Sequence, residues 1–411
     1  MRASVRLLDP QTSEQLEAET VEVPRAEALT LRERIATQVA EFLRRQVGQS
    51  VRLVEDRRQT RSLAAWEAVQ RARELSRDGA SASVLFRNQD ARDLLLRADS
   101  LYAVAQALDR AWGVPTVGRG HVAMQLSMVA SSKDTVVLGP APAMIGRAVA
   151  YADAALAQGA GAPALALRGY ARQLAGTLGP AAGADTLLRL AESDLRAALD
   201  ERPDDARSWY ALGEVLNATG RFSEALTALQ TAYDRDAYLT EVADVVELLF
   251  EVSLFAERFD DADRWCALGA SRFAEGPRFA MCRLTLLGWR GRTPAELQAA
   301  WSELRTLESS ALASVYASQW GYARYLVAAI AARAGLADSA RAIVRDTRTG
   351  LQADATRDPA LVEEAYAALL LGDRIGASRI LGRVVRERPE ERLRLTRSPW
   401  FRTLAADSSG T

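Results

Sequence analysis

Several residue types that mark common catalytic and metal sites are scarce in this chain of 411 residues. It has two cysteines, Cys266 and Cys282, and a single histidine, His121. Two thiols cannot build a disulfide framework, and one histidine cannot anchor a typical His/Cys metal site. The only lysine is Lys133, which stands outside any glycine-rich phosphate-binding loop. The sequence therefore predicts no cofactor and no metal.

Long apolar runs and a strong net charge are also missing. No stretch approaches the roughly 18 uninterrupted apolar residues of a membrane span, and the first residues lack the apolar segment of a signal peptide. The formal net charge is -1, so no global field draws the chain toward nucleic acid or anionic lipid. These features predict a soluble cytoplasmic chain. The alternative is the extracytoplasmic part of a longer membrane-anchored protein.

Residues 1–56 differ in pattern from the rest. Apolar and polar residues alternate in ASVRLLD and again in LEAETVEV, and turn residues separate the two runs, which is typical of a β-hairpin. The next segment repeats apolar residues every four positions and ends at Gly48, which predicts a helix. SVRLVED then indicates a third strand. The predicted segment is a small ββαβ unit.

This amino-terminal segment resembles a known domain. VRLLDPQTSEQL, followed by TLRERIATQVAEFLRRQVG, is similar to the second half of the TolB-like domain that precedes tetratricopeptide arrays in some bacterial regulators, cyclases and serine/threonine kinases. The first half of such a domain is absent, and Met1 lies almost inside the first predicted strand. The resemblance implies a bacterial chain that is the tail of a longer gene.

From residue 57 onward the pattern is helical, and residues 206–237 resemble the tetratricopeptide repeat (TPR), a pair of helices. The matching positions are Trp209, Leu212, Gly213, Leu216, Gly220, Phe222, Ala225, Leu229 and Ala232. Gly213 and Ala225 are expected where the two helices cross, because larger side chains would hold the helices apart. Trp209, Leu216 and Leu229 are expected to fill the space between them.

The small residue of the second helix recurs along the chain, at Ala98, Ala148, Ala191, Ala225, Ala262, Ala340 and Ala377. The longest step, from Ala262 to Ala340, fits two repeats with a degenerate one near Ala295 to Trp301. The fold class predicted is mainly α: a TPR-type α-solenoid of about eight antiparallel helix pairs, forming a right-handed superhelix over residues 57–405. The segment SPWF is predicted to cap the last pair, and residues 406–411 to form a disordered tail.

The later repeats, with LAESDLRAALDERP and SPWFRTL, resemble the TPR tails of large bacterial kinase-like or adenylate-cyclase-like regulators. The kinase motifs HRDLxxxN and DFG are absent, so this resemblance implies architecture and no kinase activity here. His121 is expected on a helix edge that faces the groove, and it fits a hydrogen-bonded or solvated residue better than a general base. Cys266 and Cys282 are predicted to be two small buried apolar residues, with a redox pair as the alternative.

The concave groove is the remaining candidate site, because in TPR arrays it is lined by residues of the first helices. The predicted partner-binding residues are Tyr170, Gln173, Arg207, Tyr210, Glu214, Asn217, Glu247 and Glu251. Tyrosine and arginine commonly carry binding energy at protein interfaces. The sequence therefore predicts a non-enzymatic scaffold that binds a protein or peptide with basic residues.

Two alternatives stay open. The chain is either such a scaffold on its own or the regulatory tail of a larger signalling protein. The arginine-rich end, from Arg379 to Arg402, is an alternative binding surface for an acidic partner or nucleic acid. Since aromatic residues do not interleave with these arginines, no nucleic acid is expected as a partner. The oligomeric state is left undetermined.

Overall fold

A computed structural model describes most of the helical part of the chain and a short segment before it. The described residues are 2–8, 15–22, 57–84, 87–129, 140–178, 183–235, 242–273, 279–309, 320–352, 360–388, 391–401 and 404. The chain divides into two compact units, Met1–Gly118 and Arg119–Thr411. The boundaries predicted at residues 56 and 405 stay predictions, and the predicted tail 406–411 lies outside the described residues.

The first unit contains two strands and two complete helices. Strand β1 (Arg2–Leu8) pairs antiparallel with β2 (Gln15–Glu22). Helix α1 (Leu63–Val84) packs against α2 (Asn88–Leu108). The predicted helix and third strand of residues 24–56 lie outside the described residues, so the ββαβ unit as a whole is not supported. Two strands alone leave both edges of a sheet unpaired.

The remaining helices follow one another with short connections. Helix α3 (Gly113–Val129) begins in the first unit and ends in the second. The helices after it are α4 (Ala141–Ala157), α5 (Ala162–Leu178), α6 (Ala184–Glu201), α7 (Ala206–Ala218), α8 (Phe222–Arg235), α9 (Val242–Phe255), α10 (Phe259–Arg272), α11 (Cys282–Arg290), α12 (Pro294–Glu308), α13 (Trp320–Arg333), α14 (Ala337–Gln352), α15 (Leu361–Leu370), α16 (Arg374–Glu387) and α17 (Glu391–Arg397). A short 3-10 helix, Pro399–Phe401, follows α17.

The second unit is built from successive helix pairs. In each of the pairs α5/α6, α7/α8, α9/α10, α13/α14 and α15/α16, the first helix packs against the second. The first helices also contact one another, α7 against α5 and α15 against α13. This stacking of pairs supports the predicted α-solenoid. Each pair buries its apolar face against its neighbours, since a single pair cannot bury it alone.

The predicted series of small residues is confirmed in position. Every member lies in the second helix of its pair and is fully buried: Ala98, Ala148, Ala191, Ala225, Ala262, Ala340 and Ala377. The member missing from the predicted degenerate repeat is Ala300, which is fully buried in α12. The long step from Ala262 to Ala340 therefore contains one more helix pair, α11/α12.

Gly213 lies where α7 crosses α8, as predicted. A Cβ atom at this position would stand 2.5 Å from Cδ2 of Leu229, a side chain that is fully buried. We expect Gly213→Ala to lower the free energy of unfolding by about 1 to 2 kcal/mol, because overpacking outweighs the better helix propensity of alanine. Urea unfolding measures this difference.

Gly146 provides the matched control for that substitution. It lies in helix α4, and a Cβ atom there would meet nothing within 4 Å. Gly146→Ala should therefore be neutral or stabilising, by up to about 1 kcal/mol. Equal destabilisation by both substitutions would contradict the crossing at Gly213.

Cys266 and Cys282 form a disulfide, with their Cα atoms 5.6 Å apart. The prediction of two unpaired buried cysteines is therefore wrong, and the alternative of a bonded pair is the one observed. The bond joins α10 to α11, so it links the second helix of one pair to the first helix of the next. Sequence spacing did not reveal this, because the contact depends on how two neighbouring pairs stack.

Candidate functional site

We call the surface formed by the first helices α5, α7, α9, α11, α13 and α15 the inner face. The residues predicted to line the groove lie on three of these helices: Tyr170 and Gln173 on α5; Arg207, Tyr210, Glu214 and Asn217 on α7; Glu247 and Glu251 on α9. Arg207 and Glu247 are exposed, whereas Tyr170, Tyr210, Glu214 and Glu251 are half-buried. The structure thus brings these residues onto consecutive first helices.

Two of the predicted groove residues do not face an open surface. Gln173 is 5% exposed and Asn217 is 9% exposed. Both come one turn after the previous groove residue of their helix, where neighbouring helices cover the surface. The prediction that they contact a partner is not supported in this conformation of the chain.

Tyr210 is the centre of a polar cluster on the inner face. Burial is the main cause that raises the pKa of its hydroxyl, and the nearby carboxylates Glu214 and Asp244 raise it further because they disfavour a phenolate. Glu214 also hydrogen-bonds to this hydroxyl, and Tyr170 lies close by. The cluster therefore joins helices α5, α7 and α9, and Tyr210 stays protonated at all ordinary pH values.

The charge of this part of the inner face is predominantly acidic. Asp244, Glu247 and Glu251 lie on α9, and Glu214 lies beside them on α7. Arg207 provides a cation at the start of α7. Each of these charged groups has an interaction partner within the chain, so the face is already engaged.

His121 lies on α3, close enough to Arg207 to sense its charge. Burial is the main cause that lowers the pKa of the His121 imidazole to about 3, and the Arg207 cation lowers it further. The imidazole is therefore neutral at neutral pH. A histidine in this state lacks the pKa near 7 that general acid–base catalysis favours, and the described residues place no nucleophile against it.

This depressed pKa predicts a defined acid sensitivity. Below the ordinary histidine pKa of about 6.5 the unfolded chain takes up a proton that the folded chain takes up only near pH 3, so stability falls as the pH falls through this window. Because His121 is only half-buried, we expect a discounted effect of about 1 kcal/mol between about pH 7 and about pH 5. His121→Gln should remove that part of the pH dependence in urea unfolding. An unchanged pH dependence in the variant would contradict this account.

An aromatic platform that the sequence analysis missed extends the inner face. It consists of Trp289 on α11 and Tyr366 on α15, each 8% exposed, with Arg333 of α13 between them. The Arg333 guanidinium donates to the carbonyl oxygen of Gly291 at 2.8 Å and to the Tyr366 hydroxyl oxygen at 2.7 Å. It also donates to the carbonyl oxygen of Gly288. These bonds fix three first helices in one arrangement.

The SPWF segment covers this platform, and it was predicted only as a cap of the last pair. Trp400 stacks on Tyr366 of the last pair, with ring centroids 4.2 Å apart. It also lies 4.3 Å from the Trp289 ring, two pairs earlier. The cap prediction is therefore incomplete, since the segment crosses the inner face as well. Sequence patterns place residues on faces of their own helix and do not show where a terminal segment returns.

A buried ion cluster joins α4, α5 and α6. Asp194 is 5% exposed and accepts hydrogen bonds from Nε and Nη2 of Arg168, at 3.0 and 2.7 Å. Arg172 donates to the same carboxylate. Arg168 also pairs with the exposed Asp153 at 2.8 Å. All charges of this cluster are paired with one another, which indicates a structural role rather than a binding site.

Comparison with known proteins agrees with the helix-pair architecture. The tetratricopeptide repeat family matches residues 188–237, which span most of α6 and all of α7 and α8. No curated protein matches the sequence. Among the described residues, no helix is long and apolar enough to cross a membrane.

Two solved structures are similar to the chain at low identity. A tetratricopeptide repeat protein from Parabacteroides merdae ATCC 43184 is 12% identical, with 68% of this chain and 93% of that chain covered and a TM-score of 0.37. The TPR domain of P58(IPK) is 13% identical, with coverages of 81% and 98% and a TM-score of 0.24. The family match, together with the stacked helix pairs, supports a TPR protein.

Proposed function

We propose that the chain is a non-enzymatic interaction scaffold that binds a protein segment with basic residues on its inner face. The observation that carries this proposal is the acidic and aromatic surface of α7 and α9, with Tyr210, Glu247 and Glu251 on consecutive first helices. Stacked helix pairs provide such an extended surface without further folding. Carboxylates steer and orient a basic partner, and tyrosine supplies contact area at low entropic cost.

Catalysis has less support than binding. His121 is held neutral by a pKa of about 3, and the buried carboxylate Asp194 is held by two arginines. Neither group is arranged to transfer a proton to a bound substrate. The role as a regulatory tail of a kinase-like protein, the bacterial origin and the TolB-like segment stay predictions that rest on the sequence resemblance.

The test uses the full chain and a display library of random peptides. We expect enriched peptides to carry arginine or lysine, and Glu247→Arg and Glu251→Arg each to weaken their binding at least about tenfold, which corresponds to about 1.4 kcal/mol. Fluorescence anisotropy with labelled peptides measures the affinities. Thermal unfolding followed by circular dichroism shows whether each variant is folded.

Asp200→Arg provides the matched control. Asp200 is exposed on α6, a second helix, so the substitution introduces the same change of charge away from the inner face. Peptide binding should be unchanged in this variant. If Asp200→Arg weakens binding as much as Glu251→Arg, or if the library enriches acidic peptides, the proposed site is wrong.

A further inference from the structure

The segment Glu391–Phe401, which we call the tail segment, lies on the inner face. Its helix α17 contacts α7, the first helix of a pair four pairs before the last. Trp400 contacts α11 and α15 through Trp289 and Tyr366. A terminal cap shields only the outer surface of the last pair. The tail segment instead reaches first helices along half of the array.

The tail segment is anchored as a bound peptide is anchored. The Trp400 ring lies between the rings of Trp289 and Tyr366, and its plane is within 3° of that of Tyr366. Leu395, Ser398 and Phe401 are 6%, 1% and 3% exposed. Buried aromatic anchors of this kind carry most of the energy of peptide and protein interfaces.

The platform beneath Trp400 does not depend on the tail segment for its own geometry. Arg333 bonds to the carbonyl oxygens of Gly288 and Gly291 and to the Tyr366 hydroxyl, and all three partners belong to α11, its end, or α15. A preformed platform of this type loses little entropy when it takes up an aromatic side chain. The same platform is therefore able to receive an aromatic residue from another chain.

The tail segment also has the charge that the proposed function requires of a ligand. Helix α17 has the sequence ERLRLTR, which contains three arginines and one glutamate. The helix it contacts, α7, carries Glu214, and its neighbour α9 carries Glu247 and Glu251. A short arginine-rich helix on an acidic inner face is the chemistry expected for the partner.

We propose that the tail segment is the resting ligand of the inner face, and that the partner is a protein segment with the same chemistry, an arginine-rich helix followed by an aromatic side chain, which must displace the tail segment to bind. This inference rests on the proposed function, because it concerns the same face. A tethered ligand acts at an effective concentration on the order of millimolar. The affinity for a partner is then reduced by the small fraction of chains in which the face is open.

The experiment uses the full chain and a fluorescein-labelled peptide with the sequence of residues 388–404. We expect weak binding to the wild-type chain and at least tenfold tighter binding to the Trp400→Ala variant, since the loss of the anchor frees the inner face. Ser398→Asp is a second variant that should have the same effect, because it places a charge at a position that is 1% exposed. It leaves the helix pairs intact if Trp400→Ala perturbs folding.

Trp301→Ala provides the control for general loss of an aromatic side chain. Trp301 is half-buried on the second helix α12, away from the tail segment, so this variant should bind the peptide as weakly as the wild type. Equal affinity of the wild type and both tail variants, or no binding to any of them, would overturn the inference. If library peptides still require Glu247 and Glu251 in that case, the proposed function stands and only the role of the tail segment is wrong.

Discussion

Replacing Asp194 with alanine is expected to lower the free energy of unfolding by about 4 kcal/mol. The Asp194 carboxylate is buried and holds both Arg168 and Arg172, which are themselves 21% and 18% exposed. Its removal leaves two partly buried guanidinium groups without their main counter-charge, and breaking a buried pair from one side costs about 3 to 5 kcal/mol. Urea unfolding followed by circular dichroism measures the loss.

Asp153→Ala is the matched control for this prediction. Asp153 also pairs with Arg168, at 2.8 Å, but its side chain is 54% exposed. An exposed ion pair contributes less than about 1 kcal/mol because water and salt screen it. A similar loss for Asp153→Ala and Asp194→Ala would show that burial of the Asp194 carboxylate is not the cause.

Reduction of the Cys266–Cys282 disulfide is expected to lower the free energy of unfolding by about 3 kcal/mol. The bond closes a loop of sequence separation 16, and its loss gives the unfolded chain more conformational freedom. Both cysteines are buried, at 2% and 5% exposure, so the folded chain itself changes little. Urea unfolding with and without dithiothreitol measures the difference.

The double variant Cys266→Ala with Cys282→Ala controls for other effects of the reductant. Its stability should be the same with and without dithiothreitol. Labelling of the unfolded wild-type chain with a thiol reagent, before reduction, should find no free thiol. Two free thiols per chain, together with a stability that does not respond to reductant, would contradict the disulfide.

The disulfide also bears on the compartment. The cytoplasmic prediction relied on two unpaired cysteines, and bonded cysteines are typical of oxidising compartments. The pairing thus favours the alternative, the extracytoplasmic part of a longer membrane-anchored protein. Both locations remain predictions.

The repeat architecture was predictable from local pattern. Gly213 and the buried alanine series follow from helical periodicity, because the crossing of two helices admits only small side chains. Ala300 escaped the series since its repeat lacks the other matching positions. Its first helix, Cys282–Arg290, is also shorter than those of its neighbours.

The missed features all depend on contacts between repeats. Arg168 and Asp194 are 26 residues apart, and Arg333 reaches carbonyl groups 42 and 45 residues away. Periodicity assigns a residue to a face of its helix and does not pair it with a residue on another helix. The return of Trp400 to Trp289 is invisible for the same reason. The acidic residues Glu247 and Glu251, in contrast, could be placed on the inner face from their offsets alone.

Photo-crosslinking tests most directly whether the inner face binds basic peptides. A benzophenone amino acid is placed at position 210, on α7, or at position 200, on α6, and each chain is irradiated with an arginine-containing peptide enriched from the library. The proposed function predicts crosslinking from position 210 and little from position 200, with a further increase when Trp400 is replaced by alanine. Equal crosslinking from both positions, or crosslinking from position 200 alone, would contradict it.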